Sequence, residues 1–105
     1  MNPKTTGRRG YATHPGGILL KDYIEPRGLT RYRVAKAIGV PQRRIDEICA
    51  GKRAISADTA LRLGRLFGVE PQLWMNLQAC YDLRVAERDL RGREVREIEP
   101  LGRLA

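Results

Sequence analysis

Gln42, Arg43, Arg44 and Glu47 crowd one short segment of this chain, and Lys52 and Arg53 follow it almost at once. Each of these residue types suits contact with nucleic acid. A glutamine amide pairs bidentately with adenine, and a guanidinium pairs in the same way with the two acceptors on guanine. Glu47 has two uses: its carboxylate accepts from a cytosine amino group, or it pairs with Arg43 one helical turn earlier. The ion pair is the favoured use, because an acid close to phosphates is costly unless it is paired. Arg31, Arg44, Lys52 and Arg53 are placed to meet phosphate oxygens, contacts that fix position without reading sequence. Arg44 is also within reach of a base. Gln42 and Arg43 are therefore the expected base readers, with Glu47 kept as a third candidate.

Other chemistry is poorly supplied. His14 is the only histidine, and beside Pro15 at a helix start a capping role accounts for it. No Ser, His and acid set, phosphate-binding glycine loop or metal-ligand cluster is present. Asp46 and Glu47 are neighbours that diverge by about 100° on a helix, so they form no carboxylate pair. Cys49 and Cys80 lack CxxC spacing, and packing is the expected role of Cys49. The sequence predicts no enzyme, no cofactor and no metal.

The segment TRYRVAKAIGVPQRRIDEICAG, residues 30–51, positions these groups as two short helices and a tight turn. Thr30 caps a helix over Arg31 to Ile38, Gly39 stops it in the left-handed conformation, and Pro41 presets the entry to the next. Val34, Ala35 and Ile38 share one face, Ile45, Ile48 and Cys49 another, and those faces should meet across the small Ala35. Gly51 closes the second helix. This is the layout of a helix-turn-helix whose second helix can enter a major groove.

The flanks supply the rest of a small core. Pro15 starts a first helix with Ile18, Leu19, Tyr23 and Ile24 on its apolar face, ended by Pro26 and Gly28. Ser56 caps a fourth helix carrying Ala60, Leu63, Leu66 and Phe67, ended by Gly68, while Gly64 inside it permits close approach of a neighbour. Pro71 opens a fifth helix through Leu73, Trp74, Leu77 and Tyr81 to about Ala86. Trp74 has two readings, as a core aromatic or as part of an apolar dimer surface. Operators are commonly bound by symmetric dimers, so Trp74, Leu77 and Tyr81 on this outlying helix are the dimer-interface candidates.

A chain of 105 residues holds one modest core. The sequence divides into a flexible basic arm at 1–12, in which Arg8 and Arg9 are available to DNA, a domain at 13–86, and a charged tail at 87–105 too polar for a core element. The net charge is +8, and residues 1–70 carry 14 Lys or Arg against 6 Asp or Glu, whereas residues 71–105 carry 6 against 6. The excess lies in the helix-turn-helix part, as expected of a protein that neutralises phosphates. No apolar run approaches the roughly 20 residues that span a bilayer, and no signal peptide is evident, so a cytoplasmic location is expected.

HPGGILLKDYIEP and then GLTRYRVAKAIGVPQRRIDEICAGKRAISADTALRLGRLFGVEPQLWMNLQACYDL carry a family resemblance. Over residues 14–86 the chain resembles the HigA (VapI-like) antitoxins of the Xre/Cro phage-repressor-like helix-turn-helix family. Gly17 departs from the acid usual in such proteins, and Arg31 from the phosphate-binding glutamine frequent in repressor relatives. The resemblance implies an all-α, five-helix lambda-repressor-like domain with base-reading positions on Gln42, Arg43 and Glu47. It also implies a homodimer that binds double-stranded operator DNA, represses its own operon and neutralises a RelE/HigB-like RNA-cleaving toxin. A stand-alone Xre-family transcriptional regulator without a toxin is the alternative.

Overall fold

The computed structural model describes residues 13–104, apart from the side chains of residues 90, 91, 103 and 104. The expected basic arm, with Arg8 and Arg9, lies outside the described residues. All regular structure among the described residues is helical. Helix α1 begins as Pro15–Ile18, widens to a π segment over Leu19–Ile24 and closes with a 3-10 turn over Glu25–Arg27. Helices α2 (Arg31–Ile38) and α3 (Gln42–Cys49) form the helix-turn-helix, followed by α4 (Ala57–Phe67) and α5 (Pro71–Arg88).

The capping residues act as their chemistry dictates. Thr30 Oγ1 accepts from Arg33 N–H at 3.1 Å, and Ser56 Oγ accepts from Thr59 N–H at 3.3 Å. His14 starts α1, its Nδ1 accepting from Gly16 N–H at 2.9 Å. Gly39 sits at φ 74°, and Val40 N–H then reaches back to the Ala35 carbonyl at 3.0 Å, which ends α2 within one residue. The turn that re-aims α3 is therefore set by backbone bonds.

The core gathers one face of each helix from α1 to α5: Leu19 and Ile24 from α1, Val34, Ala35 and Ile38 from α2, Ile45 and Ile48 from α3, then Ile55, Ala60, Leu63 and Trp74. Burying each of the larger side chains is worth about 1.5–3 kcal/mol. Tyr23 lies 4.9 Å from the Trp74 ring and 5.3 Å from Phe67, joining α1 to α4 and α5. Two glycines permit backbone contact. A Cβ on Gly16 would lie 1.6 Å from the Ile48 carbonyl oxygen, so α1 lies directly against the end of α3. A Cβ on Gly64 would lie 2.7 Å from the Val69 carbonyl oxygen, so the close neighbour is the turn into α5.

Two features differ from the sequence reading. Helix α5 runs on to Arg88, and the tail contains helices α6 (Leu90–Arg96) and α7 (Leu101–Leu104). Val95, Ile98 and Leu101 in that tail stay exposed. Trp74, named as a dimer-interface candidate, has 0% exposure. It is a core aromatic, because a side chain with no surface cannot join a second subunit.

Candidate nucleic-acid interface

Helix α3 presents Gln42 and Arg43 from its first turn, and both are exposed, Arg43 with 83% of its side chain. The inward Ile45 and Ile48 hold the helix against the core and leave the start of its opposite face to solvent. At its far end Lys52 N–H bonds the Glu47 carbonyl at 2.8 Å and Gly51 N–H bonds that of Ile48 at 3.0 Å. This paired closure turns the chain sharply, so Lys52 and Arg53 emerge beside α3.

The arginines on this surface are held by acids. Glu47 takes Arg43 Nε on one oxygen at 2.8 Å and Arg53 Nε on the other at 2.9 Å. Asp58, in the first turn of α4, accepts from Arg44 Nη1 at 2.8 Å and from Arg62 Nε at 3.1 Å. Arg31 Nε lies 3.3 Å from Asp46 Oδ1 in an ion pair. The hydrogen bond from Arg43 is the main cause holding the Glu47 carboxyl below its usual pKa, and Arg62, then Arg44, do the same for Asp58. Both acids therefore stay charged well into acid.

The structure thus joins Arg43, Glu47 and Arg53 in one cluster and Arg44 with Asp58 in a second. Gln42 and Lys52 are exposed near them. A pocket of about 500 Å³ separates the clusters, lined by Arg44, Arg53, Ala54, Ser56, Asp58 and Thr59. Two guanidiniums, the Asp58 carboxylate and the capped start of α4 line it. Glu47 spends both oxygens on guanidiniums, so in the free chain it is an organiser of arginines.

Four contributors were not visible as such in the sequence. Asp58 and Arg62 act across the fold, and Arg62 Nη1 also donates to the Ile38 carbonyl at 2.7 Å, tying α4 to the end of α2. Gln78, buried on α5, accepts Ile55 N–H on Oε1 at 2.8 Å and supports the loop behind Arg53. His14 reaches the backbone of Arg53 itself. The HPG and LWMNLQ runs contained two of these four, without showing that both face the same loop.

The remaining candidates separate cleanly. Leu77 and Tyr81 are half-buried on α5, and Tyr81 stands edge-on to His14 at 4.9 Å. Burial pushes the Cys49 thiol up to about 11, which makes it an inert packing group. Among the described residues no three His, Cys, Asp or Glu side chains cluster as metal ligands, and no helix is long and apolar enough to cross a membrane.

Comparison with known proteins follows the same geometry. A helix-turn-helix family model matches residues 20–74. Virulence-associated protein I of Dichelobacter nodosus is 51% identical over 78 residues, covering 74% of this chain and 72% of that protein. Among solved structures, the Pseudomonas aeruginosa antitoxin HigA with higBA promoter superposes with a TM-score of 0.79 at 39% identity, covering 84% of this chain and 96% of the other. An addiction module antidote protein of a HigA family from Coxiella burnetii superposes with a TM-score of 0.77 at 37% identity, covering 83% and 95%.

Proposed function

The chain belongs to the Xre-type helix-turn-helix family, in its HigA-like branch, and from that membership we propose that it is an autoregulating antitoxin. In this reading it binds operator DNA as a homodimer, represses its own operon and neutralises a RelE/HigB-like RNA-cleaving toxin. It works by binding and is not an enzyme. The observation that carries the DNA half is the exposed start of α3 with its pre-arranged arginines, beside the Lys52 and Arg53 loop. A similar solved structure is described with promoter DNA.

In the DNA complex, the exposed first turn of α3 lies along base edges, with Gln42 and Arg43 leading. Arg31, Arg44, Lys52 and Arg53 take phosphate oxygens on either side of the groove. The acids keep the guanidiniums extended towards DNA, and their N–H groups not used by Glu47 or Asp58 remain available as donors. Two domains read two half-sites, so the pairing surface must lie away from α3. Leu77 and Tyr81, with the exposed Leu83 beyond them, offer that surface on α5.

The toxin half is tested by co-expressing the tagged chain with the product of a small basic RelE-like reading frame beside its gene. Co-purification, with RNA cleavage restored when the chain is removed by denaturation and the toxin refolded, is the expected result. Absence of such a neighbour, or a neighbour that neither binds nor is inhibited, would leave a stand-alone regulator.

A further inference from the structure

Four residues that the DNA contact does not use meet beneath the loop that follows α3. Gln78 on α5 has 5% exposure, and its Oε1 is the acceptor for Ile55 N–H at 2.8 Å. Its Nε2 donates to Asp82 Oδ1 at 2.9 Å, one turn along the same helix. A carboxylate only accepts, so Asp82 fixes which way the amide points and keeps the oxygen towards the loop. The side chain of Ile55 is buried in the core, which pins the loop at the same residue.

His14 approaches the loop from the other side. Its Nδ1 accepts from Gly16 N–H at 2.9 Å, so the neutral ring carries its proton on Nε2. The ring lies against the loop, its Cγ 3.8 Å from where a Cβ on Gly51 would sit, and the Arg53 backbone acts on it as a hydrogen-bond partner. The Tyr81 ring packs edge-on against the imidazole at 4.9 Å and holds its plane. Between the closure of α3 at Lys52 and the Ser56 cap of α4, the loop is thus held at two backbone points by side chains from α5 and the start of α1.

We propose that Gln78 and His14 are positioning residues for DNA contact, holding the loop so that Lys52 and Arg53 meet phosphates as a preformed pair. This rests on the DNA-binding reading above. Neither side chain reaches the nucleic acid; they act through the backbone of Arg53 and Ile55. Because Gln78, Tyr81 and Asp82 all lie on α5, the clasp ties DNA affinity to the placement of a helix that stands outside the groove.

Two variants of the full chain test it. Gln78→Met keeps length and bulk and removes the acceptor; His14→Asn keeps a side-chain oxygen for the Gly16 cap and is too short to reach Arg53. Amide exchange on the free protein should quicken at least about tenfold at Ile55 in Gln78→Met, while the amides around Trp74 keep their rates. On promoter DNA, the slope of log affinity against log salt should flatten by about one to two units in each variant, about 0.9 for each phosphate no longer neutralised. In a Lys52→Ala, Arg53→Ala background the same substitutions should flatten it no further. Unchanged exchange at Ile55, or unchanged slopes in folded variants, would overturn the proposal. A wild-type chain without selective DNA binding would instead sink the DNA reading, and the exchange rates would still decide whether the clasp holds the loop.

Discussion

Replacing Glu47 by Gln separates two accounts of the recognition helix. Glu47 holds Arg43 at 2.8 Å and Arg53 at 2.9 Å, one guanidinium on each oxygen. The amide is uncharged and has one acceptor oxygen, so at least one guanidinium is released and the local field becomes more positive by one charge. Arg53 already meets a phosphate in this account, so if the released Arg43 takes one as well, the salt slope on random DNA steepens by about 0.9. Over a fourfold change in salt that added phosphate changes affinity roughly 3.5-fold. Fluorescence anisotropy on a random duplex, with wild type and Glu47→Gln measured between about 50 and 200 mM salt, reads this directly. Tighter random binding with a steeper slope, and a smaller preference for the operator, is the expected result. An unchanged slope on random DNA, with operator affinity reduced at a single base pair, would refute it and make Glu47 a base reader.

Arg43→Ala should relax specificity at one base pair, whereas Lys52→Ala should weaken binding to all sequences and flatten the salt slope by roughly one, as a panel of single-substitution operators would show. Gly16→Ala places a Cβ 1.6 Å from the Ile48 carbonyl oxygen, a backbone clash that no rotamer relieves. It should cost stability at the upper end of about 1–3 kcal/mol, read as a lower Tm. Burial holds the His14 pKa below its ordinary 6.5, against opposing pulls from Asp82 and the Arg53 backbone. The unfolded chain therefore takes the proton first, so this contribution is complete above 6.5 and is lost as pH falls through the lower folded value. Tm should fall over that window, and His14→Asn should remove that part of the fall.

Local signals in this chain were legible because they act over a few residues. Thr30, Gly39 and Ser56 each satisfy or close a neighbouring helix end, and each does so where the sequence places it. The widening of α1 over Leu19–Ile24 was not legible, because a π segment changes bond spacing without changing the apolar pattern. Arg44 and Asp58 are fourteen positions apart and meet only once α3 and α4 pack. A glutamine on an amphipathic helix looks like surface, so Gln78 gave no sign of its burial or of its bond to Ile55. Trp74 kept two readings in the sequence, and only the packing of Tyr23 against it and its lack of surface settle it as core.

We propose that the start of α3 and the loop behind it recognise DNA selectively. The direct measurement is a titration of the purified chain against a duplex from its own upstream region and against the same duplex shuffled, at one salt concentration. Binding to the upstream duplex should be tighter by about a thousandfold or more. Footprinting should show two protected half-sites about one helical turn apart or a multiple of it. Equal affinity for both duplexes, with no footprint, would contradict that claim.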